Sequence, residues 1–344
     1  MNNDESFQEF NLNQNDGQLD FNFQQINEAL DKFKSLSSIS INFNQRQIGN
    51  EGAKQLGESI SHFQNLNSFQ IQLEENNIDN DGCVFLVQGI VQCKNLKSIK
   101  INLNDNLVSD IGAQALMEGI LTNINLKYMS LHMENNRITD FTIQKLNNLI
   151  SSQVLGIVTL EIILSDNSIS DIGAQLLGMA LRNCENVSSV KISLNDNKLT
   201  ENGVILLAQQ IPFIRSLAAL DLSFVNCNLT DFMPEKFGEI IFACPNLTKI
   251  WLNMGFNNLG CIGIQKLGEW LQKNQNLEFI KLMLWMNFIR DVGIIQLSKS
   301  LNKCKKMYFI SLNIFDNKVT EFGINKAHQS LWKSKRIVNF QLIN

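Results

Sequence analysis

The stretch Lys100–Gly112, KINLNDNLVSDIG, decides the fold. Up to its Asn106, apolar residues alternate: Ile99, Ile101 and Leu103 share one side of an extended segment. That is the period of a short strand with one buried face. After Gly112 the apolar residues Ala113, Leu116, Met117 and Ile120 recur at helical spacing, which predicts a helix of about three turns. The same frame returns at Lys191–Gly203, KISLNDNKLTENG, and at Lys281–Gly293, KLMLWMNFIRDVG. The third copy keeps the aliphatic, Asn and Gly positions. It carries Met283, Trp285 and Met286 where the others carry Asn, Asp and Ser.

With the Asn as an index, equivalent slots fall at 46, 76, 106, 136, 167, 197, 227, 257, 287 and 317. The step is 30 residues throughout, except for 31 between 136 and 167. Eight of the ten slots are Asn, the exceptions being Arg46 and Cys227. Three residues earlier is always apolar, and six later is Gly in eight of ten, Thr142 and Met233 departing. A strand–turn–helix unit of this length cannot bury its own core, so the copies must stack on one another. Where the chain turns off the strand, backbone groups lose their ladder partners, and a buried side-chain amide can serve both donors and acceptors.

This pattern, L-x-x-L-x-L-x-x-N-x-L followed by G-A-x-x-L, resembles leucine-rich repeats of the long, ribonuclease-inhibitor-like class over residues 5–344. The resemblance implies an α/β solenoid with about 30 residues per repeat, a horseshoe with parallel strands on its concave face and helices on its convex face. Residues 1–344 then read as one domain. Residues 1–35 form a degenerate capping repeat (Phe10, Leu12 and Asn15, then Ile26, Leu30 and Phe33). Ten regular repeats occupy 36–334, and a capping strand 335–344 carries Ile337, Phe340 and Leu342. Cys is a replacement the family uses at the Asn slot, and Arg46 stands in an early repeat with less to stack on.

Composition sets outer limits. A chain of 344 residues with 44% hydrophobic and 18% charged residues is expected to be soluble, and its net charge of −4 argues against a general nucleic-acid binder. No apolar run approaches the roughly 18 residues of a membrane span. The start, MNNDESFQEF, lacks the basic-then-apolar layout of a secretory signal. Seven Cys without a C-x-x-C pair fit a reducing, cytoplasmic setting, in which the sequons at Asn186, Asn228 and Asn246 are chance matches. Cys93, Cys184, Cys244 and Cys304 each follow a slot by 17 residues and read as small buried thiols.

Catalytic signatures are missing: there is no phosphate-binding loop, nucleophile elbow or paired zinc histidines. His62, His132 and His328 lie in separate repeats, so no shared metal is expected. Asp105, Asp166, Asp196 and Asp316 each precede a slot and read as a solvated turn edge, repeated by duplication, ahead of paired catalytic carboxylates. The expectation is a non-enzyme without cofactor, metal or small-molecule substrate.

Counting back from the slot, positions −7, −5 and −3 face the core, leaving −8, −6, −4 and −2 on the concave face. In the first six repeats these rows read as a wet, nearly neutral surface, with Asn42, Gln72, Asn102, His132, Ile163 and Ser193 at −4. In the last repeats they turn apolar: Trp251, Phe279, Met283, Trp285, Phe309 and Phe315, with Lys281 among them and Lys249 and Asp221 at the rim. Phe256 and Met286 extend the patch to the turn edge. Aromatic and Met side chains in a charged rim are the composition of an interface core. The rival reading is that the chain's own C-terminal segment covers the patch or the rings pack on each other. A second cluster, Lys303, Lys305, Lys306, Lys333, Lys335 and Arg336, reads as solvated loops, with an acidic protein surface as the alternative.

The functional expectation is therefore an interaction scaffold that holds a protein or peptide partner, without nucleic acid or membrane. The breadth of the family points to a subunit of a larger assembly, ciliary or cytoskeletal. The alternative from the same family is a GTPase activator resembling the Ran activator. That family's acidic C-terminal tail is absent from the ending KSKRIVNFQLIN, and Arg46, Arg137 and Arg290 match no motif.

Overall fold

The computed structural model describes residues 36–152, 156–332 and 339–343. The expected cap in residues 1–35, and Lys333, Lys335, Arg336 and Ile337, lie outside the described residues. The chain divides into two compact units, Met1–Ser168 and Ile169–Asn344.

In the first unit, β1 (Ser38–Asn42), β2 (Ser68–Gln72), β3 (Ser98–Asn102), β4 (Tyr128–His132) and β5 (Thr159–Ile163) pair in parallel in chain order. They alternate with α1 (Gly49–Ile60), α2 (Asn80–Ile90), α3 (Asp110–Ile120) and α4 (Asp140–Ser151). The second unit repeats the arrangement with β6 (Ser189–Ser193), β7 (Ala219–Ser223), β8 (Lys249–Asn253), β9 (Phe279–Met283), β10 (Phe309–Asn313) and β11 (Asn339–Ile343). Its helices are α5 (Asp171–Arg182), α6 (Glu201–Ala208), α7 (Phe232–Phe242), α8 (Cys261–Leu271), α9 (Asp291–Leu301) and α10 (Glu321–Trp332). No helix among the described residues is long and apolar enough to cross a membrane.

The alternation read from the sequence is the packing observed. In β2 and β3, Phe69, Ile71, Ile99 and Ile101 point into the core and are buried. The aliphatic stripe of each helix meets them: Leu86 and Ile90 of α2, Leu116 and Ile120 of α3. Burying such side chains contributes about 1.5–3 kcal/mol each. One helix departs from the expected length. The α6 helix stops at Ala208, and Ile211–Phe213 continues as a 3-10 turn. Pro212 accounts for this, because it lacks an N–H and its ring clashes with the carbonyl four residues earlier.

Asparagines at the slots tie successive repeats together. Asn76 is fully buried. Its Oδ1 accepts from the N–H groups of Arg46 (3.0 Å) and Ile48 (3.3 Å) in the preceding repeat, while Nδ2 donates to the carbonyls of Phe43 (2.7 Å) and Glu74 (3.0 Å). Asn106 and Asn257 repeat the set. Each Asn thus serves the repeat before it. The repeat that Arg46 would serve lies outside the described residues. Cys227 keeps the donor half only, with Sγ 3.8 Å from the Leu194 carbonyl and 3.4 Å from that of Val225.

A second ladder, unread in the sequence, holds the helix starts. Asp110 accepts from the N–H (2.9 Å) and hydroxyl (2.7 Å) of Thr139, the residue that caps α4 in the next repeat. Asp171 and Asp291 do the same for Thr200 and Thr320. Thr142, which replaces a frame Gly, donates its hydroxyl to Asp110 at 2.6 Å and so earns its place.

Candidate protein-binding surface

The strand rows that face away from the helices are walled in more closely than alternation alone implies. In the first unit Asn102, Ser130, Glu161 and Ser165 are buried although they sit on this open face. Parallel strands lie about 4.8 Å apart, so short side chains fall in the shadow of longer neighbours. Glu161 is the centre of one such cluster, accepting from Ser130 Oγ (2.9 Å) and Tyr128 Oη (3.2 Å), with His132 Nε2 at 3.2 Å. The expectation of a wet surface there is corrected to a partly closed one. Ser130 and Glu161 both reach the same His132 nitrogen, so the trio lacks the relay order of a catalytic triad.

The second unit carries the aromatic rows. Strand register brings the side chains of Trp251, Phe279 and Phe309 together from β8, β9 and β10. The Trp251 and Phe279 ring centroids are 4.6 Å apart. Those of Phe279 and Phe309 are 4.2 Å apart, with the planes 1° from parallel. Lys281 and Met283 occupy the next open-face positions of β9. Trp285 and Phe315 follow their strands one repeat apart. Trp285 lies over Gly255, where a Cβ would overlap its indole. Because the rings pack on each other, Trp251, Phe279, Lys281, Met283, Trp285 and Phe309 are half-buried, while Phe315 is 53% exposed.

The turn edge adds a feature that the sequence only hinted at. The residue before every slot is in the left-handed region, φ between 49° and 59°. Side chains of Asn and Asp tolerate that conformation, which explains the recurrent Asp105, Asp166, Asp196 and Asp316 as turn residues. Phe256 and Met286 stand at the same position with φ of 50°, where bulky side chains carry backbone strain. Both are exposed. With Phe288, Asn226, Asn228 and Asp316 they line an open cleft of about 410 Å³.

Charge divides between the units. The open-face rows of the first unit hold Glu74, Glu134 and Glu161 against Lys100; those of the second hold Lys191, Lys249 and Lys281 against Asp221. The side-chain ammonium of neither Lys249 nor Lys281 has an ion-pair or hydrogen-bond partner among the described residues. Of the second basic cluster, Lys303, Lys305 and Lys306 are exposed, and Lys306 reaches Asn276 at 3.0 Å.

One surface was missed in the sequence. Ile172, Phe232, Ile262, Val292 and Phe322 are exposed on the first helical turns of the second unit, as are Ile111 and Phe141 in the first. The signal was present: the fifth residue after the slot is apolar in seven of ten copies.

The thiols are buried as expected, apart from half-buried Cys261. Burial pushes Cys93 and Cys184 up to about 11 and Cys227 and Cys244 up to about 12.

No family model matches the sequence, and no curated protein matches it significantly. Solved structures do resemble it at low identity. The leiomodin-1 actin-binding site 2 is 14% identical, covering 46% of this chain and 86% of that one, with a TM-score of 0.38. Internalin C2 of Listeria monocytogenes is 17% identical over 74% of this chain and 83% of its own, TM-score 0.38. The yeast complex of Rad7 and Elc1 is 16% identical over 85% and 74%, TM-score 0.47. The 30-residue frame, the parallel strands alternating with helices, and the asparagine ladder give this chain the fold of a leucine-rich repeat protein.

Proposed function

We propose that the chain is a non-enzymatic protein-interaction scaffold that holds a protein or peptide on the open face of its second unit. One observation carries this reading: although Trp251, Phe279 and Phe309 pack on each other, as the rival reading expected, they stay half-buried together with Met283 and Trp285, and Phe315 is exposed, so apolar surface is left open on the strand rows that face away from the helices. The repeat frame does not need these rings. Equivalent positions in the first unit hold Ser, Thr, Gln, Lys and Glu, with Tyr128 the one ring among them. Aromatic anchors clustered at the centre of a surface are what binding hot spots are built from. Binding there suits a subunit of a larger assembly, and a ciliary or cytoskeletal one remains part of the proposal.

The reading is tested by substituting Trp251 and Phe315 with Ala or Ser. The variants should fold with little loss of stability and release the partners that the wild type captures from its native source. Loss of folded protein in both variants would assign the rings to the core instead. Arg46 and Arg137 belong to the first unit and Arg290 to the second, each in its own repeat. No grouping of these residues favours the GTPase-activator alternative.

A further inference from the structure

The patch also carries information about what it binds. The open polar groups around the rings on its strand rows are donors, while the Asp316 carboxylate stands at the turn edge. Lys249 stands in register with Phe279, and Lys281 with Trp251, so two unpaired ammonium groups bracket the Trp–Phe pair. Asn253, Met283 and Asn313 form the adjacent row. Each of these Asn side chains spends its Oδ1 on a backbone N–H two residues on, at 3.2 Å to Gly255 and 3.1 Å to Phe315. Their Nδ2 donors have no partner among the described residues. Around the rings the face therefore presents Lys249, Lys281, Asn253 and Asn313 as donors, with Asp221 as the one carboxylate of the unit's rows. This holds although the whole chain is acidic at −4.

Resting on the interaction reading above, we infer that the occupant is an acidic peptide segment bearing large apolar side chains. Its carboxylates meet Lys249, Lys281 and the two amides, and its apolar side chains meet Trp251, Met283 and Phe315. Complementary charge of this kind selects partners and speeds encounter more than it adds affinity. A basic partner is repelled by Lys249 and Lys281. A single-stranded nucleic acid would need free ring faces for its bases and several cations for its phosphates. Both faces of Phe279 are already taken, by Trp251 and Phe309.

A random dodecapeptide library displayed on phage is panned against the wild-type chain, with Trp251→Ala used for counter-selection. Selected peptides are then synthesised and titrated against wild type, Trp251→Ala and the charge-reversed double variant Lys249→Glu/Lys281→Glu, at low and high salt. The thermal midpoint of each variant is checked first. The inference expects peptides rich in Asp, Glu and aromatic or aliphatic residues. It expects their affinity to fall about tenfold in the charge-reversed variant and to weaken with salt. Neutral or basic peptides that still require Trp251 would overturn the acidic assignment and leave the interaction surface standing. A panel without any Trp251-dependent peptide would overturn both. Tight, Trp251-dependent binding of a dodecamer of uridine would replace the peptide with a nucleic acid and overturn both.

Discussion

The indole of Trp285 lies over the backbone of Gly255, which holds the equivalent position, two residues before the slot, in the preceding repeat, and any side chain at 255 would overlap the ring. Among the open-face rows this is a seat that glycine alone provides. Gly255→Ala should displace the indole at a cost of about 1–3 kcal/mol, the usual range for overpacking. With 5-fluorotryptophan incorporated, the Trp285 resonance should shift in the variant while the Trp332 resonance stays. An unmoved resonance with unchanged stability would show that the ring rests elsewhere.

The asparagine ladder makes opposite predictions at two neighbouring slots. Asn257→Ala leaves the N–H groups of Cys227 and Leu229 and the carbonyl of Phe224 without their side-chain partner. Each buried unsatisfied group costs about 1–3 kcal/mol, so a loss of roughly 2–4 kcal/mol is expected once some are met by relaxation. Cys227→Asn restores the missing acceptor and should raise stability by about 1 kcal/mol. Urea unfolding of both variants beside the wild type decides the matter. A destabilised Cys227→Asn would mean the slot has closed around sulfur.

Phe256 and Met286 are expected to show a trade between stability and binding. Replacing either with Asn removes a bulky residue from the left-handed region and should stabilise the chain by about 1 kcal/mol. If the turn edge contributes to the interface, the same variants bind more weakly. A more stable variant with undiminished binding would confine the interface to the strand rows.

Thiol chemistry follows from burial. At pH 8 a maleimide should label Cys261 quickly and the other six cysteines only after unfolding, as counted by intact mass. Burial raises Cys93, Cys184, Cys227 and Cys244 from the ordinary 9.0 to between about 11 and about 12. The folded state therefore holds these protons more tightly than the unfolded chain does. Their contribution is complete below pH 9 and is lost as pH rises through the folded values. Stability should decline between about pH 9 and 12 by more than in a Cys227→Ser, Cys244→Ser variant, compared as a change from each protein's own value at pH 8.

Much of the fold was legible because its determinants are periodic. Ile99, Ile101 and Leu103 declare a strand, Leu116 and Ile120 a helix, and Asn106 a turn, ten times over. The apolar rows were legible as positions, since a strand's alternation fixes which residues share a face. The contacts made there were not. Whether Phe279 stacks on Phe309 depends on side-chain rotamers, and the burial of Ser130 and Glu161 depends on neighbours one strand away. The seat at Gly255 and the strain at Phe256 are equally hidden, because a backbone angle imposed by the turn leaves no mark on residue spacing. The capping ladder of Asp110 and Asp171 was written plainly at a fixed offset, but its partners sit in the following repeat.

The central claim is that the second unit's open face holds a partner through its rings. Its most direct test is the dissociation constant of a captured partner for wild type and for the folded Trp251→Ala/Phe315→Ser variant. At least a hundredfold weakening is expected, from the loss of two anchors worth about 2 kcal/mol each. Equal affinity of the two proteins, with folding intact, would contradict it.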